Sequence, residues 1–152
     1  MNAAVNAFFL ILKLLSLYFL VVSLFSLCKR KMQKSSTTQR RFAVLIAARN
    51  EESCIAGLIE SLLAQNYPSE LFDIWVLPNN CTDHTADAAR HAGGKVLEMP
   101  TSIHSKGAAL QYAANTLLHG SRYYDAFCVF DADNEVDPAF LSEMNQALSR
   151  SA

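Results

Sequence analysis

Two aspartates stand one residue apart at the end of an apolar run in the second half of the chain. Residues 127–134 read F-C-V-F-D-A-D-N, so Asp131 and Asp133 directly follow a predicted buried strand. Carboxylates at the carboxyl end of a parallel strand face the crevice in which open α/β sheets bind ligands, and a neighbouring pair suits a hard divalent cation. The alternative interpretation is an acidic turn in solvent, because aspartate is common in turns for conformational reasons.

Length, charge and cysteine spacing limit the kind of protein. The chain has 152 residues, room for about one domain, with a formal net charge of −1 and a pI of about 6.4. Because there is no basic excess, we expect no nucleic-acid partner. The cysteines form no C-x-x-C pair, which disfavours a zinc site and favours free thiols in a reducing compartment. They are Cys28, Cys54, Cys81 and Cys128.

The N-terminal segment predicts a membrane anchor. Residues 5–27 contain sixteen Leu, Ile, Phe or Val residues, and a helix of about 20 apolar residues crosses the hydrocarbon core. At about −0.3 to −0.6 kcal/mol each, these residues outweigh the roughly 3 kcal/mol cost of Lys13 at the bilayer centre. A cleaved signal peptide is disfavoured, because no positive residue precedes the apolar run. We therefore predict one transmembrane helix over 5–27.

Basic residues after this helix predict its orientation. The positive-inside rule places the rest of the chain in the cytoplasm, which makes it a single-pass protein of the cell membrane. The basic residues are Lys29, Arg30, Lys31, Lys34, Arg40 and Arg41. The segment 28–40 is also rich in Ser and Thr and is predicted to be a tether.

The remaining segment, 41–152, is predicted to be one α/β domain. Apolar runs that predict strands alternate with helical patterns, which indicates right-handed βαβ units and an open, Rossmann-like parallel sheet. The predicted strands are 42–48, 71–77, 95–99 and 126–130. The first predicted helix begins after Asn50, which can act as its cap. The other three occupy 83–91, 106–118 and a segment starting at Asp137.

The strand order 3-2-1-4 would bring the candidate ligand-binding residues together. In that order the first and fourth strands are neighbours, and the order reverses between them, which is where open α/β sheets bind ligands. The loop with Ala48, Asn50 and Glu51 would then face the two aspartates, with Asn79 beside it.

Such an arrangement suits a nucleotide. Asn79 or Asn80 could pair with a base edge, backbone N–H groups at a helix start could meet a ribose or phosphate, and a cation on Asp133 could bridge a diphosphate. Each residue also has a purely structural explanation. Two adjacent asparagines suit a loop, Glu51 suits an acidic first turn, and Lys106 suits a solvated helix start.

Other phosphate chemistries have weaker support. The chain has only five glycines and neither G-x-G-x-x-G nor G-x-x-x-x-G-K-[ST]. An Asp-x-Asp phosphohydrolase, with the first carboxylate as nucleophile, remains a lesser alternative. Against it, the pair lies on the fourth predicted strand and is followed by Asn134 and Glu135.

Four motifs together resemble the family-two glycosyltransferases, which have the GT-A fold. They are I-A-A-R-N-E-E at 46–52, N-N-C-T-D-H-T at 79–85, S-K-G-A-A-L at 105–110 and F-D-A-D-N at 130–134. The resemblance covers about 42–148. It implies that Asp133 binds Mn²⁺ or Mg²⁺ and that Asp131, the other member of the metal-binding pair, lies near the ribose.

The resemblance also implies roles for the neighbouring loops. Ala48, Asn50 and Glu51 would contact the nucleotide-sugar, Lys106 would lie near it, and Asn79 matches a position that usually holds a base-contacting Asp. An Asn carbonyl can still accept from a uracil N–H, so the change from Asp to Asn weakens the match without cancelling base binding. A UDP-sugar is the favoured donor.

Three positions depart from the family pattern. Ala47 stands where the family often has Pro, Arg49 where it often has an aromatic residue, and Asn79 where it has Asp. The family's catalytic base and its Q-x-x-R-W acceptor motif are expected beyond residue 152, so no residue of this chain is assigned as the base.

The resemblance implies inverting transfer of a sugar from a nucleoside-diphosphate sugar to an acceptor hydroxyl. The chain is predicted to be the donor-binding half of such an enzyme. The alternative function is a non-catalytic, membrane-anchored binding or assembly module whose open sheet edge pairs with a partner chain that completes the domain.

Overall fold

The computed structural model describes residues 3–27 and 38–151, and the chain divides into two units, Met1–Lys34 and Ser35–Ala152. The first unit holds α1 (Ala3–Leu27). Within it, Val5–Leu24 has a mean hydropathy of 2.4 and is long and apolar enough to cross a membrane by length and composition. Most of the predicted tether lies outside the described residues, together with Cys28 and the basic residues at 29, 30, 31 and 34.

Within residues 38–151 the chain forms a four-stranded parallel sheet in the predicted order, β3-β2-β1-β4. Its strands are β1 (Phe42–Ala48), β2 (Phe72–Pro78), β3 (Lys95–Val96) and β4 (Ala126–Asp131). β1 lies between β2 and β4, and it is the most apolar strand because helices cover both of its faces. Ala47 pairs with Asp131, so the carboxyl ends of β1 and β4 lie side by side.

The helices cover the two faces of this sheet. They are α2 (Ile55–Leu63), α3 (Thr85–His91), α4 (Lys106–Leu118) and α5 (Phe140–Ser151). α2 buries residues 55, 58, 59 and 62, which form one apolar stripe. This stripe packs with α5 and with Phe42, Val44 and Ile46 of β1, whereas α4 packs through Ala113 and Leu117 on the opposite face.

The predicted strand and helix positions are confirmed, but several boundaries differ. α2 begins at Ile55 and is not capped by Asn50, because Asn50 adopts φ +59° and its Oδ1 accepts a bond from the Thr82 N–H at 2.8 Å. α5 begins at Phe140, after a turn in which Asp137 Oδ1 accepts from the Ala139 N–H at 2.8 Å. In both places a side chain predicted to cap a helix shapes the preceding turn.

The sheet's edge and the end of α3 show two further local effects. β3 has two residues where five were predicted; the Leu97 N–H still donates to the Val76 carbonyl at 2.9 Å, and the chain then leaves the edge. α3 ends at His91, and the predicted Gly93 follows it with a φ of +95°, which few side chains tolerate. Gly94 follows, where a Cβ would lie 3.0 Å from Ile59 Cδ1, so this turn packs closely on α2.

Candidate functional site

A crevice of about 430 Å³ opens where the carboxyl ends of β1, β2 and β4 meet, and we call it the β1–β4 crevice. It is lined by Ala47, Ala48, Arg49, Glu51, Asn79, His104, Lys106, Asp131, Ala132 and Asp133. The lining includes every residue that the sequence singled out for ligand binding except Asn50 and Asn80. These residues come from separate loops, and they meet because the strand order reverses between β1 and β4.

The two aspartates of the crevice have different partners. Asp131 ends β4, and its carboxylate forms an ion pair with Nζ of Lys106, the first residue of α4. The Asp133 side chain is exposed and makes no hydrogen bond or ion pair with the described residues. Asn134 closes the turn between them, because its Oδ1 accepts from the Asp131 N–H at 3.1 Å. Asp133 is therefore the carboxylate of the pair that is available to an external cation.

The loop after β1 is fixed by bonds to the loop after β2. The Glu51 N–H donates to Thr85 Oγ1 at 2.9 Å, and the Thr82 N–H donates to Asn50 Oδ1 at 2.8 Å. Asn50 thus ties the two loops together, and its side-chain oxygen is engaged there instead of lining the crevice. The predicted contact between Asn50 and a ligand is not supported by this geometry.

Glu51 also affects the pKa of the neighbouring Cys54 thiol. Cys54 Sγ donates to Glu51 Oε2 at 3.1 Å. This hydrogen bond, together with burial and the negative charges of Glu51 and Asp133, raises the pKa of Cys54 to about 11. Cys54 is therefore a neutral thiol at pH 7, with little nucleophilic character.

Asn79 occupies the part of the lining next to β2. Its backbone N–H donates to the Ala48 carbonyl at 2.9 Å, and its side chain is buried. Asn80, at φ +54°, donates from Nδ2 to Asn79 Oδ1 at 2.9 Å and to the Ile103 carbonyl at 2.7 Å. The Asn79 side chain is thereby held against the loop that precedes α4.

Four lining residues were not selected as site residues from the sequence: Ala47, Ala132, Arg49 and His104, of which the last two have polar side chains. His104 lies in the loop before α4, with Nδ1 3.5 Å from Asn80 Nδ2, and its proximity in sequence to Lys106 was the available signal. Arg49 was noted only as a departure from the family pattern, although it adjoins Ala48. Neither residue could be placed without knowing how the two loops turn.

The charges and donor atoms of the crevice are compatible with a divalent cation. Arg49 and Lys106 contribute +2 and Glu51, Asp131 and Asp133 contribute −3, a formal sum of −1. Among the described residues no group of three or more His, Cys, Asp or Glu side chains could hold a metal. Mg²⁺ and similar cations are often bound by one or two carboxylates, with substrate phosphates and water completing the shell. Asp133 with Asp131 matches that donor set.

A family model described as glycosyl transferase family 2 matches residues 43–152, more than half of the chain. Beta-monoglucosyldiacylglycerol synthase of Nostoc sp. strain PCC 7120 is 40% identical over 43 residues, which are 28% of this chain and 9% of that protein. The synthase of the same name from Synechocystis sp. is 29% identical over 51 residues, 34% of this chain and 11% of that protein. The matched segments are thus a small part of these curated relatives.

Solved structures share the fold. The mannosyltransferase PcManGT from Pyrobaculum calidifontis, in complex with GDP-Man and Mn²⁺, aligns with a TM-score of 0.69 and 19% identity over 88% of this chain and 39% of that one. Glucosyl-3-phosphoglycerate synthase from Mycobacterium tuberculosis, with Mn²⁺, UDP and glucosyl-3-phosphoglycerate, aligns with a TM-score of 0.55 and 24% identity over 72% and 40%. S. aureus TarS 1-349 aligns with a TM-score of 0.57 and 22% identity over 68% and 31%. The α/β fold is therefore of the GT-A type.

Proposed function

Because this chain belongs to glycosyl transferase family 2, we propose that the β1–β4 crevice binds a nucleoside-diphosphate sugar, with a UDP-sugar as the favoured donor. The observation that supports this most is the convergence of Asp131, Asp133, Lys106 and Asn79 on one crevice at the sheet's switch point. Its volume of about 430 Å³ lies in the range of small-molecule sites.

The crevice residues then have distinct roles. Asp133 holds Mn²⁺ or Mg²⁺, and Asp131 lies near the ribose while Lys106 balances its charge. When bound, the cation supplies positive charge that stabilises the diphosphate leaving group. Glu51 and Asn79 lie by the nucleoside. With the cation, the formal charge of the lining changes from −1 to +1, because the ion adds +2, and this favours an anionic ligand.

The proposed reaction is an inverting transfer. An acceptor hydroxyl attacks the anomeric carbon of the sugar, and the nucleoside diphosphate leaves from the opposite face. We assign no crevice residue as the base that deprotonates the acceptor. The crevice residues support the binding of the sugar donor in this reaction.

We further propose that α1 anchors the chain in the cell membrane as a single span over 5–27 and that the domain over 41–152 is cytoplasmic. The apolar composition of α1 supports the anchor, and the basic residues that follow it in the sequence support the orientation.

A titration of UDP into the full chain in detergent, with and without Mn²⁺, tests donor binding. We expect Mn²⁺ to raise the affinity for UDP at least about tenfold and Asp133→Asn to remove that increase, because the amide is a poorer ligand for a hard cation. Asp137→Asn is the matched control, since Asp137 is an exposed aspartate outside the crevice lining. Equal binding by wild type and Asp133→Asn at every Mn²⁺ concentration would contradict the metal assignment.

A second candidate function is a non-catalytic assembly module. It is favoured by one observation: within residues 38–151, β4 pairs with β1 alone, and Val129 of β4 is 49% exposed. Such a module would dock a partner chain along the open edge of β4. It predicts oligomers or a stable hetero-complex without Asp133-dependent UDP binding, and metal-dependent UDP binding by a monomer would contradict it.

A further inference from the structure

A second cavity, of about 330 Å³, lies on the face of the sheet that α4 covers, and we call it the β2–α4 cavity. It is lined by Trp75, Lys95, Leu97, Thr116, Leu117, Gly120, Ser121, Arg122 and Tyr124. Among the described residues, it shares no lining residue with the β1–β4 crevice. Its volume is at the lower end of the range for small-molecule sites, which suits a ligand with a single ring.

The β2–α4 cavity is positively charged, unlike the β1–β4 crevice. Lys95 and Arg122 contribute +2, and the described part of the lining holds no acidic residue. The buried Asp73 contacts both cations and adds −1, so the formal sum of the three residues is +1. An anion is therefore attracted to this cavity without a metal ion, whereas the crevice lining has a formal sum of −1.

Both cations of the cavity have N–H groups left for a ligand. Lys95 Nζ donates to Asp73 Oδ1 at 2.7 Å, which uses one of its three N–H groups, and the side chain is 50% exposed. Arg122 is bonded through Nη2 alone, which donates to the Glu70 carbonyl. Its Nε lies 3.0 Å from Asp73 Oδ2 but makes no hydrogen bond with the described residues. The two side chains can therefore donate to a carboxylate or a phosphate.

A chain of hydrogen bonds holds the polar side chains of the cavity in place. Trp75 Nε1 donates to the Tyr124 hydroxyl at 3.2 Å, and this hydroxyl donates to Asp73 Oδ2 at 2.6 Å. Asp73, whose side chain is 6% exposed, in turn pairs with Lys95 and Arg122. Because these groups are fixed before a ligand arrives, binding costs little side-chain entropy.

We propose that the β2–α4 cavity is a second ligand site, which binds a small organic anion. Its carboxylate or phosphate contacts Lys95 and Arg122, and its ring packs on the apolar wall of Trp75, Leu97 and Leu117. Lys95 Nζ lies 5.5 Å from the centre of the Trp75 ring, so an anion on Lys95 has its body beside that ring.

This site goes beyond the proposed function and does not depend on it, because it uses none of the crevice residues. The simpler explanation is that the ion pairs of Asp73 only stabilise the domain. That explanation accounts for the buried carboxylate, but not for a cavity beside two cations whose remaining N–H groups face no acceptor among the described residues.

The fluorescence of Trp75 tests the site, because Trp75 is the single tryptophan of the chain. The full chain, in detergent with EDTA, is titrated with cyclohexanecarboxylate, cyclohexyl phosphate, inorganic phosphate and cyclohexanol. We expect one or both ring-bearing anions to change the emission saturably, with an affinity at least about tenfold higher than those of inorganic phosphate and cyclohexanol. The tighter of the two anions shows whether the site prefers a carboxylate or a phosphate.

Four variants separate this site from folding and from the crevice. Ser121→Asp adds a negative charge to the lining without removing a bond of Asp73, and it should lower the affinity at least about tenfold. Ser53→Asp adds the same charge at an exposed position outside the lining and should leave the affinity unchanged. Arg122→Gln should lower it at least about tenfold, because the amide is uncharged. Asp133→Asn should leave it unchanged, because Asp133 lies in the crevice.

Each contrary outcome has a definite meaning. No saturable change with either ring-bearing anion, or equal affinities of wild type and Ser121→Asp, would overturn the proposal. Equal affinity for cyclohexanol would overturn the role of the cations, and equal affinity for inorganic phosphate would overturn the role of the ring. Loss of the response in Asp133→Asn would also overturn the proposal, because the anion would then bind in the β1–β4 crevice. Absence of Mn²⁺-dependent UDP binding, with the response of Trp75 intact, would contradict the proposed function alone.

Discussion

Two lysines of the domain form ion pairs that differ in how exposed the carboxylate is. Lys106 pairs with Asp131, and both side chains are about half exposed, whereas Lys95 Nζ lies 2.7 Å from Oδ1 of the buried Asp73. Exposed pairs contribute about 0–1 kcal/mol to stability, and hydrogen bonds to buried charged groups contribute more. Ligand binding and stability should therefore depend on different lysines.

Substitution by methionine separates these two effects. We expect Lys106→Met to reduce UDP affinity at least about tenfold, through loss of the positive charge that balances Asp131 in the crevice, with a melting temperature close to wild type. Lys95→Met, which lies outside the crevice lining, should lower the melting temperature and leave UDP affinity unchanged. Thermal unfolding and UDP titration measure both. A similar loss of UDP affinity in the two variants would show that Lys106 has no special role.

Asp73 makes stability dependent on acid pH. Burial would raise the pKa of this carboxyl, but hydrogen bonds from Lys95 and Tyr124 and the positive charges of Lys95 and Arg122 hold its pKa below the ordinary 3.8. A carboxyl with a lower pKa in the folded state stabilises the protein above its unfolded pKa, and this contribution is lost as pH falls through the folded value.

The corresponding variant is Asp73→Asn. We expect it to cost about 2 kcal/mol at pH 7 through weaker bonds to Lys95 and Tyr124. The loss of stability below about pH 4 should also be shallower in the variant than in wild type. Melting curves between neutral and strongly acidic pH measure both effects, and parallel pH profiles for the two proteins would contradict this account.

At the scale of single residues, the sequence predicted which residues line the crevice better than it predicted their backbone conformation. Asp131, Asp133 and Lys106 could be predicted to converge because each lies at the end or start of a regular element. The position of Asn50 could not, because the same side-chain oxygen serves a helix cap or a loop bond, and the left-handed φ of +59° depends on Thr82, which is distant in sequence. His104 was missed because its position depends on how the loop before α4 turns.

At the scale of elements, the order 3-2-1-4, which is a condition of the site prediction, agrees with the burial of the strands. The run 42–48 is apolar throughout and had to lie inside the sheet, whereas the run 95–99 carries Lys95 and Glu98 and suits an edge. The length of β3 could not be predicted, because an edge strand has a partner on one side and ends where the loop leads it away. The start of α4 was predicted correctly, and Ser105 caps it by accepting from the Ala108 N–H at 3.2 Å.

Two glycines test how local backbone conformation contributes to the helices. Gly57 lies inside α2, and a Cβ there would meet nothing within 4 Å. Gly57→Ala should therefore stabilise the domain by about 0.5–1 kcal/mol, the difference in helix propensity. Gly93→Ala should destabilise it by about 1 kcal/mol or more, because φ is +95° and Leu63 Cδ1 lies 3.3 Å from the added Cβ.

Chemical denaturation of the two variants measures this difference. Both replace glycine by alanine, so opposite changes in the free energy of unfolding isolate backbone conformation from side-chain chemistry. Destabilisation by Gly57→Ala equal to that of Gly93→Ala would show that α2 needs glycine for a reason other than conformation.

At the scale of the whole molecule, net charge gives little attraction to nucleotides. The chain carries a formal charge of −1, and the crevice lining has the same formal sum, so long-range steering should be weak.

We expect EDTA to reduce UDP affinity at least about tenfold, because the proposed cation supplies the missing positive charge. A rise in NaCl from about 50 to about 200 mM should change the affinity by less than about threefold, because the decisive charges lie within a Debye length of each other. UDP titrations under these conditions measure both effects, and insensitivity to EDTA would contradict the metal's role.

The proposed membrane anchoring by α1 depends on a balance of insertion free energies that substitution can reverse. The sixteen Leu, Ile, Phe and Val residues of 5–27 supply roughly −5 to −10 kcal/mol on the insertion scale, and Lys13 opposes them by about 3 kcal/mol. Replacing Leu15 and Leu20 by lysine adds about 6 kcal/mol of cost and removes two favourable terms, so insertion should fail. The matched Leu15→Ala, Leu20→Ala chain should still insert, because it loses only the smaller favourable terms. Alkaline carbonate extraction should therefore leave wild type and the alanine variant in the membrane pellet and release the lysine variant. Retention of the lysine variant in the pellet would show that something other than the apolar helix holds the protein at the membrane.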